Sequence, residues 1–169
     1  MKPNLIFIGM PGAGKSTLAK MLADQLGRPF LDTDASIEKR YGKPLQALLD
    51  EHGYLKMREL EADTITALQP APNTLVATGG SVVYSDDAMQ HLKRNGIAIY
   101  LSAQPETLRA RINNLDNRGF NCPPGKNFEE VYQERLPLYR RYADVTVQVD
   151  GQSVEQLLPQ LAVALMGYL

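Results

Sequence analysis

Gly9-Met10-Pro11-Gly12-Ala13-Gly14-Lys15-Ser16 fits the pattern G-x-x-x-x-G-K-[ST] at every fixed position. Glycines in such a run let the backbone wrap a phosphate with successive N–H groups pointing inward. Lys15 supplies a mobile charge for the β and γ oxygens, and Ser16 a hydroxyl for Mg²⁺. The context agrees with the pattern. Leu5–Ile8 is an apolar strand candidate immediately before it, and Lys15–Leu26 reads as an amphipathic helix whose positive dipole end meets the same spot. Gly12, Ala13, Gly14, Lys15, Ser16 and Thr17 are therefore the expected contacts to nucleotide phosphates. The dinucleotide fingerprint G-x-G-x-x-G is excluded, because the spacing here is G-x-x-G-x-G.

Outward from this segment, short apolar runs alternate with longer amphipathic stretches. Further strand candidates are Pro29–Leu31, Thr74–Ala77, Ile97–Leu101 and Val145–Val149. Helical patterns cover Ala35–Tyr41, Leu45–Leu68 with a break near Gly53, Asp86–Arg94, Pro105–Ile112, Phe128–Tyr142 and Val154–Met166. Regular alternation of strand and helix predicts one three-layer α/β domain with a parallel sheet, covering residues 1–169. Asn113 to Asn127 stands apart. It is rich in Asn, Gly and Pro and lacks apolar periodicity, which predicts a functional lid or a disordered segment.

The 18 Lys and Arg nearly balance the 19 Asp and Glu, so no global field recruits nucleic acid or an anionic membrane. Cys122 is the single cysteine, which excludes an intrachain disulfide framework and a cysteine-rich zinc site and suits a reducing cytoplasm. The run of apolar or small residues from Leu5 to Gly9 is too short for a signal-peptide core or a membrane span. A cytoplasmic monomer acting on a small molecule is the expectation. His52 and His91 show no metal or catalytic spacing and read as surface residues. Tyr139, Tyr142 and the methionines read as core or groove filling, and Cys122 as an exposed thiol.

Leu31-Asp32-Thr33-Asp34 closes the second strand candidate. Residues i and i+2 of a strand project to one face, so both carboxylates can point to one site, beyond the carboxyl ends of the strands where parallel sheets bind ligands. One acid near Mg²⁺ and one near an acceptor hydroxyl suit phosphoryl transfer. A solvated turn with Asp34 capping the next helix is the alternative.

Taken together, these residues resemble the shikimate kinase family, small-metabolite kinases with the P-loop fold. The matching features are the cradle, Asp32-Thr33-Asp34, Met57-Arg58-Glu59-Leu60-Glu61, Thr78-Gly79-Gly80, Arg111, Arg118 and Glu134-Arg135-Leu136-Pro137-Leu138-Tyr139. The resemblance implies a sheet of five parallel strands in the order 2-3-1-4-5, with helices on both faces. It also implies ATP and Mg²⁺, with Asp32 ordering the metal through water and Asp34 holding the acceptor hydroxyl as base. Arg58 and Arg135 would grip a substrate carboxylate, which a planar guanidinium pairs in bidentate fashion. Gly79 and Gly80 would let backbone approach the substrate. Arg111 would lie against adenine, and Arg118 would meet the phosphates. Arg58 in its charged helix and Arg111 beside Arg109 could instead be solvated. Only the motif singles out Arg135 from Arg140 and Arg141.

Two positions depart from the family pattern. The usual third glycine is Ser81, and the arginine of the lid is followed by Gly119-Phe120-Asn121 instead of proline and an apolar pair. Both border the acceptor pocket. A kinase for another small hydroxy acid such as homoserine is therefore an alternative to a shikimate kinase. A non-catalytic nucleotide-binding regulator is a third reading. Intact Lys15, Ser16, Asp32, Asp34 and Arg118 argue against it.

Overall fold

The computed structural model describes residues 2–112 and 120–169. Arg118, Gly119 and the first part of the expected lid lie outside the described residues. Five strands, β1 (Asn4–Ile8), β2 (Phe30–Asp32), β3 (Leu75–Ala77), β4 (Gly96–Ser102) and β5 (Val145–Gln148), form one sheet in the order β2-β3-β1-β4-β5. Every neighbouring pair is parallel. Leu5 of β1 stands between Leu75 and Ile97, and every residue of β1 is buried. That burial on both faces is why its sequence reads as an uninterrupted apolar run.

Helices α1 (Lys15–Leu26), α2 (Thr33–Tyr41), α3 (Leu45–Ala67), α4 (Asp86–Lys93), α5 (Pro105–Arg111), α6 (Phe128–Tyr142) and α7 (Val154–Ala164) connect the strands. Leu18, Ala19, Leu22 and Ala23 face the core from α1, at the spacing of one helical stripe. The break expected near Gly53 is present: its φ of 77° and ψ of 169° interrupt α3. A 3₁₀ turn, Val82–Tyr84, follows the glycines after β3. Asn127 caps α6 in a reciprocal capping box with Glu130, fixing the point where the chain returns from the expected lid.

β1 has β3 on one side and β4 on the other, so consecutive crossovers leave it in opposite directions. Ligands of parallel sheets bind at that switch point. The cradle grows from the carboxyl end of β1 there. Among the described residues no helix is long and apolar enough to cross a membrane.

The structure corrects several smaller expectations. His91 is half-buried, with Nε2 2.8 Å from the Leu68 carbonyl oxygen. Cys122 is partly buried and packs against the core. Met21 and Met166 are exposed and not part of the core.

Candidate active site

The cradle begins with a tight turn in which the Ala13 N–H donates to the Met10 carbonyl at 3.2 Å. Gly14 then caps α1 in the left-handed region, φ 92°, which a side chain would strain. Lys15 is buried, and its Nζ donates to the Gly9 and Met10 carbonyls at 2.7 and 2.9 Å. Burial pulls its pKa down to about 8, and the nearby Asp34 carboxylate works against that fall. Ser16 and Thr17 are exposed on the mouth side of the first helical turn. Ser16 Oγ donates to Asp32 Oδ2 at 3.1 Å.

The two acids come together by a route different from the strand alternation expected. Only Asp32 belongs to β2. It is the N-cap of α2, its Oδ1 accepting the Asp34 N–H at 2.9 Å, and Asp34 sits in the first helical turn. The chain turns helical after one acid because an aspartate satisfies the free N–H groups of a helix start better than a further strand residue would. Both carboxylates still border the same region. Burial and then the Asp32 charge raise the Asp34 pKa to about 6.

Gly79 and Gly80 leave room that this site uses. A Cβ on Gly79 would come within 2.8 Å of Asp34 Oδ1 and 2.9 Å of Glu61 Oε2. One on Gly80 would lie 2.8 Å from Arg135 Nη1 and 2.9 Å from Pro11 Cδ. The Gly80 carbonyl is fixed by the Tyr139 hydroxyl at 2.6 Å.

Arg135, inside α6 and only 1% exposed, donates from Nη2 to the Asn121 carbonyl at 2.9 Å. Its Nε lies 3.3 Å from the Tyr84 hydroxyl. Arg58 meets the same tyrosine, its guanidinium 3.6 Å from the Tyr84 ring centroid and 5.1 Å from that of Tyr54. Arg58 Nε and Nη2 are buried and meet no partner among the described residues. Neither guanidinium has a carboxylate partner among the described residues. Arg135 is buried and Arg58 half-buried, and the Glu61 carboxylate interacts with both at longer range.

A cavity of about 370 Å³ joins these parts. Gly12, Gly14, Lys15, Ser16 and Thr17 line it from the cradle, and Asp34, Gly79, Gly80, Arg111 and Arg135 from the surrounding elements. Arg111 is exposed at the end of α5, with Nη1 3.5 Å from the Gly12 carbonyl and Nη2 3.3 Å from that of Val149. Ala13, Asp32 and Arg58 are not among the residues that line it. Arg118 lies outside the described residues.

Among the lining or flanking residues given no role by the sequence reading, three bear on the chemistry. Glu61 is 5% exposed, and burial raises its pKa to about 7 against the opposing hydrogen bond from Ser81. Its position was legible: Met57, Leu60, Glu61, Thr64 and Ile65 are the buried stripe of α3, so Glu61 occupies a core position of that helix. Asn121 is the second; its Nδ2 lies 3.4 Å from Ser81 Oγ, so the two departures from the family pattern meet in space. Tyr84, the third, had no sequence signal.

The arrangement combines a phosphate cradle, a carboxylate of raised pKa and a buried guanidinium around one cavity, as transfer of a phosphoryl group requires. The shikimate kinase family model matches residues 11–165. A shikimate kinase of Dehalococcoides mccartyi is 33% identical over 168 residues, covering 99% of this chain and 96% of the relative. One from Thiobacillus denitrificans is 38% identical over 155 residues, covering 90% and 85%. Among solved structures, the shikimate kinase of Acinetobacter baumannii in complex with shikimate superposes with a TM-score of 0.87 at 28% identity, covering 100% of this chain and 96% of the other. With its motifs, its sheet order and nearly its whole length in agreement, the chain belongs to the shikimate kinase family of small-molecule kinases.

Proposed function

We propose that this chain transfers the γ-phosphate of ATP, with Mg²⁺, to the 3-hydroxyl of shikimate. The observation that carries the reading is the single cavity that has the cradle and Asp34 on one side and the buried Arg135 on another. Its volume of about 370 Å³ suits a small metabolite.

Arg135 and Arg58 take the acceptor carboxylate through their planar guanidiniums. Gly79 and Gly80 admit the ring close to the backbone. Asp34 accepts the hydroxyl proton as that oxygen bonds to the γ-phosphorus and the bond from phosphorus to the β-bridging oxygen breaks, leaving ADP. A carboxyl with a pKa near 6 holds that proton better than an ordinary aspartate while staying ionised at neutral pH. Lys15 gives its charge to the β and γ oxygens, and Arg111 flanks the base. Arg118, by resemblance, meets the phosphates.

The metal's donors fit a hard cation. Ser16 and Asp32 offer only oxygens, and Mg²⁺ is usually held by one or two protein oxygens together with phosphates and water. When bound, it supplies neutralisation of the charge on the phosphates. The test is to incubate the purified protein with ATP, Mg²⁺ and shikimate and to identify the product by mass and phosphorus NMR. A 3-phosphate ester is expected; ATP hydrolysis with shikimate left unmodified would overturn the reading.

A further inference from the structure

We propose that Tyr84 is a positioning residue for the acceptor site. Its ring face holds the Arg58 guanidinium and its hydroxyl holds Arg135, so that both arginines are presented to one carboxylate. The inference rests on the shikimate reading above.

The physical problem is repulsion. Arg58 and Arg135 are cations on different helices, α3 and α6, and both guanidinium carbons lie within 5.3 Å of the Tyr84 ring centroid. Burial lowers the Arg58 pKa, and the Arg135 charge adds to that fall. A carboxylate in contact would hold the pair together, but it would also occupy the donors that a substrate anion needs. Among the described residues neither arginine has such a contact, and Glu61 acts on both only at longer range. An aromatic ring avoids the competition, because its face attracts a cation without carrying a charge.

Tyr84 meets the two arginines with different parts of its side chain. Arg58 stands 3.6 Å over the ring, closer than any other cation over a ring among the described residues. Arg135 donates from Nε to the hydroxyl oxygen at 3.3 Å and from Nη2 to the Asn121 carbonyl at 2.9 Å. With those two nitrogens directed away, Nη1 is left beside Gly80, a residue of the cavity lining.

The ring is itself fixed from below. The Tyr84 N–H donates to the Ser81 carbonyl at 3.1 Å, and Val82 and Val83 of the same turn are buried. Ser85, next in the chain, caps α4 by accepting the Ala88 N–H at 3.1 Å. The turn packs against both α3 and α6, the helices that carry the arginines. Tyr84 is not among the residues that line the cavity, so it acts through the arginines and not on the acceptor.

The experiment compares wild type, Tyr84→Phe and Tyr84→Leu, each with shikimate and with its uncharged carboxamide. Turnover of shikimate by wild type is measured first; its absence would reject the substrate reading and this inference with it. Given that turnover, Tyr84→Leu should raise the KM for shikimate about three- to thirtyfold, the worth of one desolvated cation–π contact. The KM for ATP and kcat should stay close to wild type, because the cradle and Asp34 are untouched. The carboxamide offers the arginines no anion, so its kcat/KM should differ little between wild type and Tyr84→Leu. Tyr84→Phe keeps the ring face and loses the hydroxyl, so its KM for shikimate should fall between the other two. An unchanged KM for shikimate in Tyr84→Leu would overturn the proposal. So would an equal loss with shikimate and the carboxamide, which marks a general disturbance of the pocket. A Tyr84→Phe no better than Tyr84→Leu would also contradict it, since the ring face would then hold nothing. Circular dichroism reports folding. Should Tyr84→Leu misfold, the two acceptors are compared in Tyr84→Phe, where a loss confined to shikimate is expected and no loss, or an equal one, is the contradicting result.

Discussion

Ser16 donates its hydroxyl to Asp32 across 3.1 Å, joining the end of the phosphate cradle to the end of β2. The same Asp32 caps α2 through its other oxygen. These two duties can be separated, because asparagine caps a helix about as well as aspartate but carries no charge. Asp32→Asn should leave thermal stability within about 2 °C, since a surface change that keeps its cap costs little. The Mg²⁺ concentration for half-maximal turnover should rise about tenfold or more, the worth of one charged contact. A Mg²⁺ titration of ADP release, beside a melting curve, checks both halves.

Asp34 should show activity and stability in opposition. Its pKa is raised by burial from 3.8 to about 6, so the folded state prefers the protonated form. Above that pKa the buried charge destabilises the fold by roughly 3 kcal/mol, and below the unfolded value near 4 the cost is absent. Asp34→Asn removes the charge. At pH 7.5 it should raise Tm by about 6–12 °C while cutting turnover about 10²–10⁴-fold, with ATP affinity little changed. The gain in Tm should shrink as pH falls from 6 toward 4. Calorimetry at pH 7.5 and 4.5 reads the difference.

The dependence of kcat/KM on pH should be bell-shaped. Turnover requires Asp34 ionised, which sets an acid limb near pH 6, and Lys15 charged, which sets a basic limb near pH 8. Asp34→Asn should abolish the acid limb in the residual rate. Loss of the basic limb instead would reverse the assignments.

Arg58 tests the carboxylate clamp. Its guanidinium is stacked at 3.6 Å over Tyr84, a geometry that a lysine ammonium does not reproduce. Arg58→Lys keeps the charge but should raise the acceptor KM about ten- to hundredfold, leaving the KM for ATP unchanged. Steady-state kinetics with each substrate varied in turn measure both.

How far these residues could be read without the structure depended on whether their neighbours were local. The cradle was legible because strand, glycines, lysine and helix are consecutive, and the break at Gly53 because a lone glycine interrupts a periodic helix. Asp32 and Asp34 were found for a partly wrong reason: helix capping, and not strand alternation, sets their geometry. Glu61 was hidden by its charged neighbours, although its place in the buried stripe of α3 exposed it to inference. The stacking of Arg58 on Tyr84 and the bond between Ser81 and Asn121 join residues 26 and 40 positions apart, and no local pattern records either. Cys122 and His91 were misjudged for the same reason, since long-range packing covers them.

The most direct test of the central claim is the acceptor specificity of the purified enzyme. ADP release with saturating ATP and Mg²⁺ should be followed with shikimate, homoserine and gluconate offered separately over a range of concentrations. The expected result is a kcat/KM for shikimate that exceeds the other two by at least about a hundredfold, which is on the order of the discrimination that one or two buried charged or polar contacts provide. Efficient turnover of homoserine or gluconate with none of shikimate would contradict the proposed substrate.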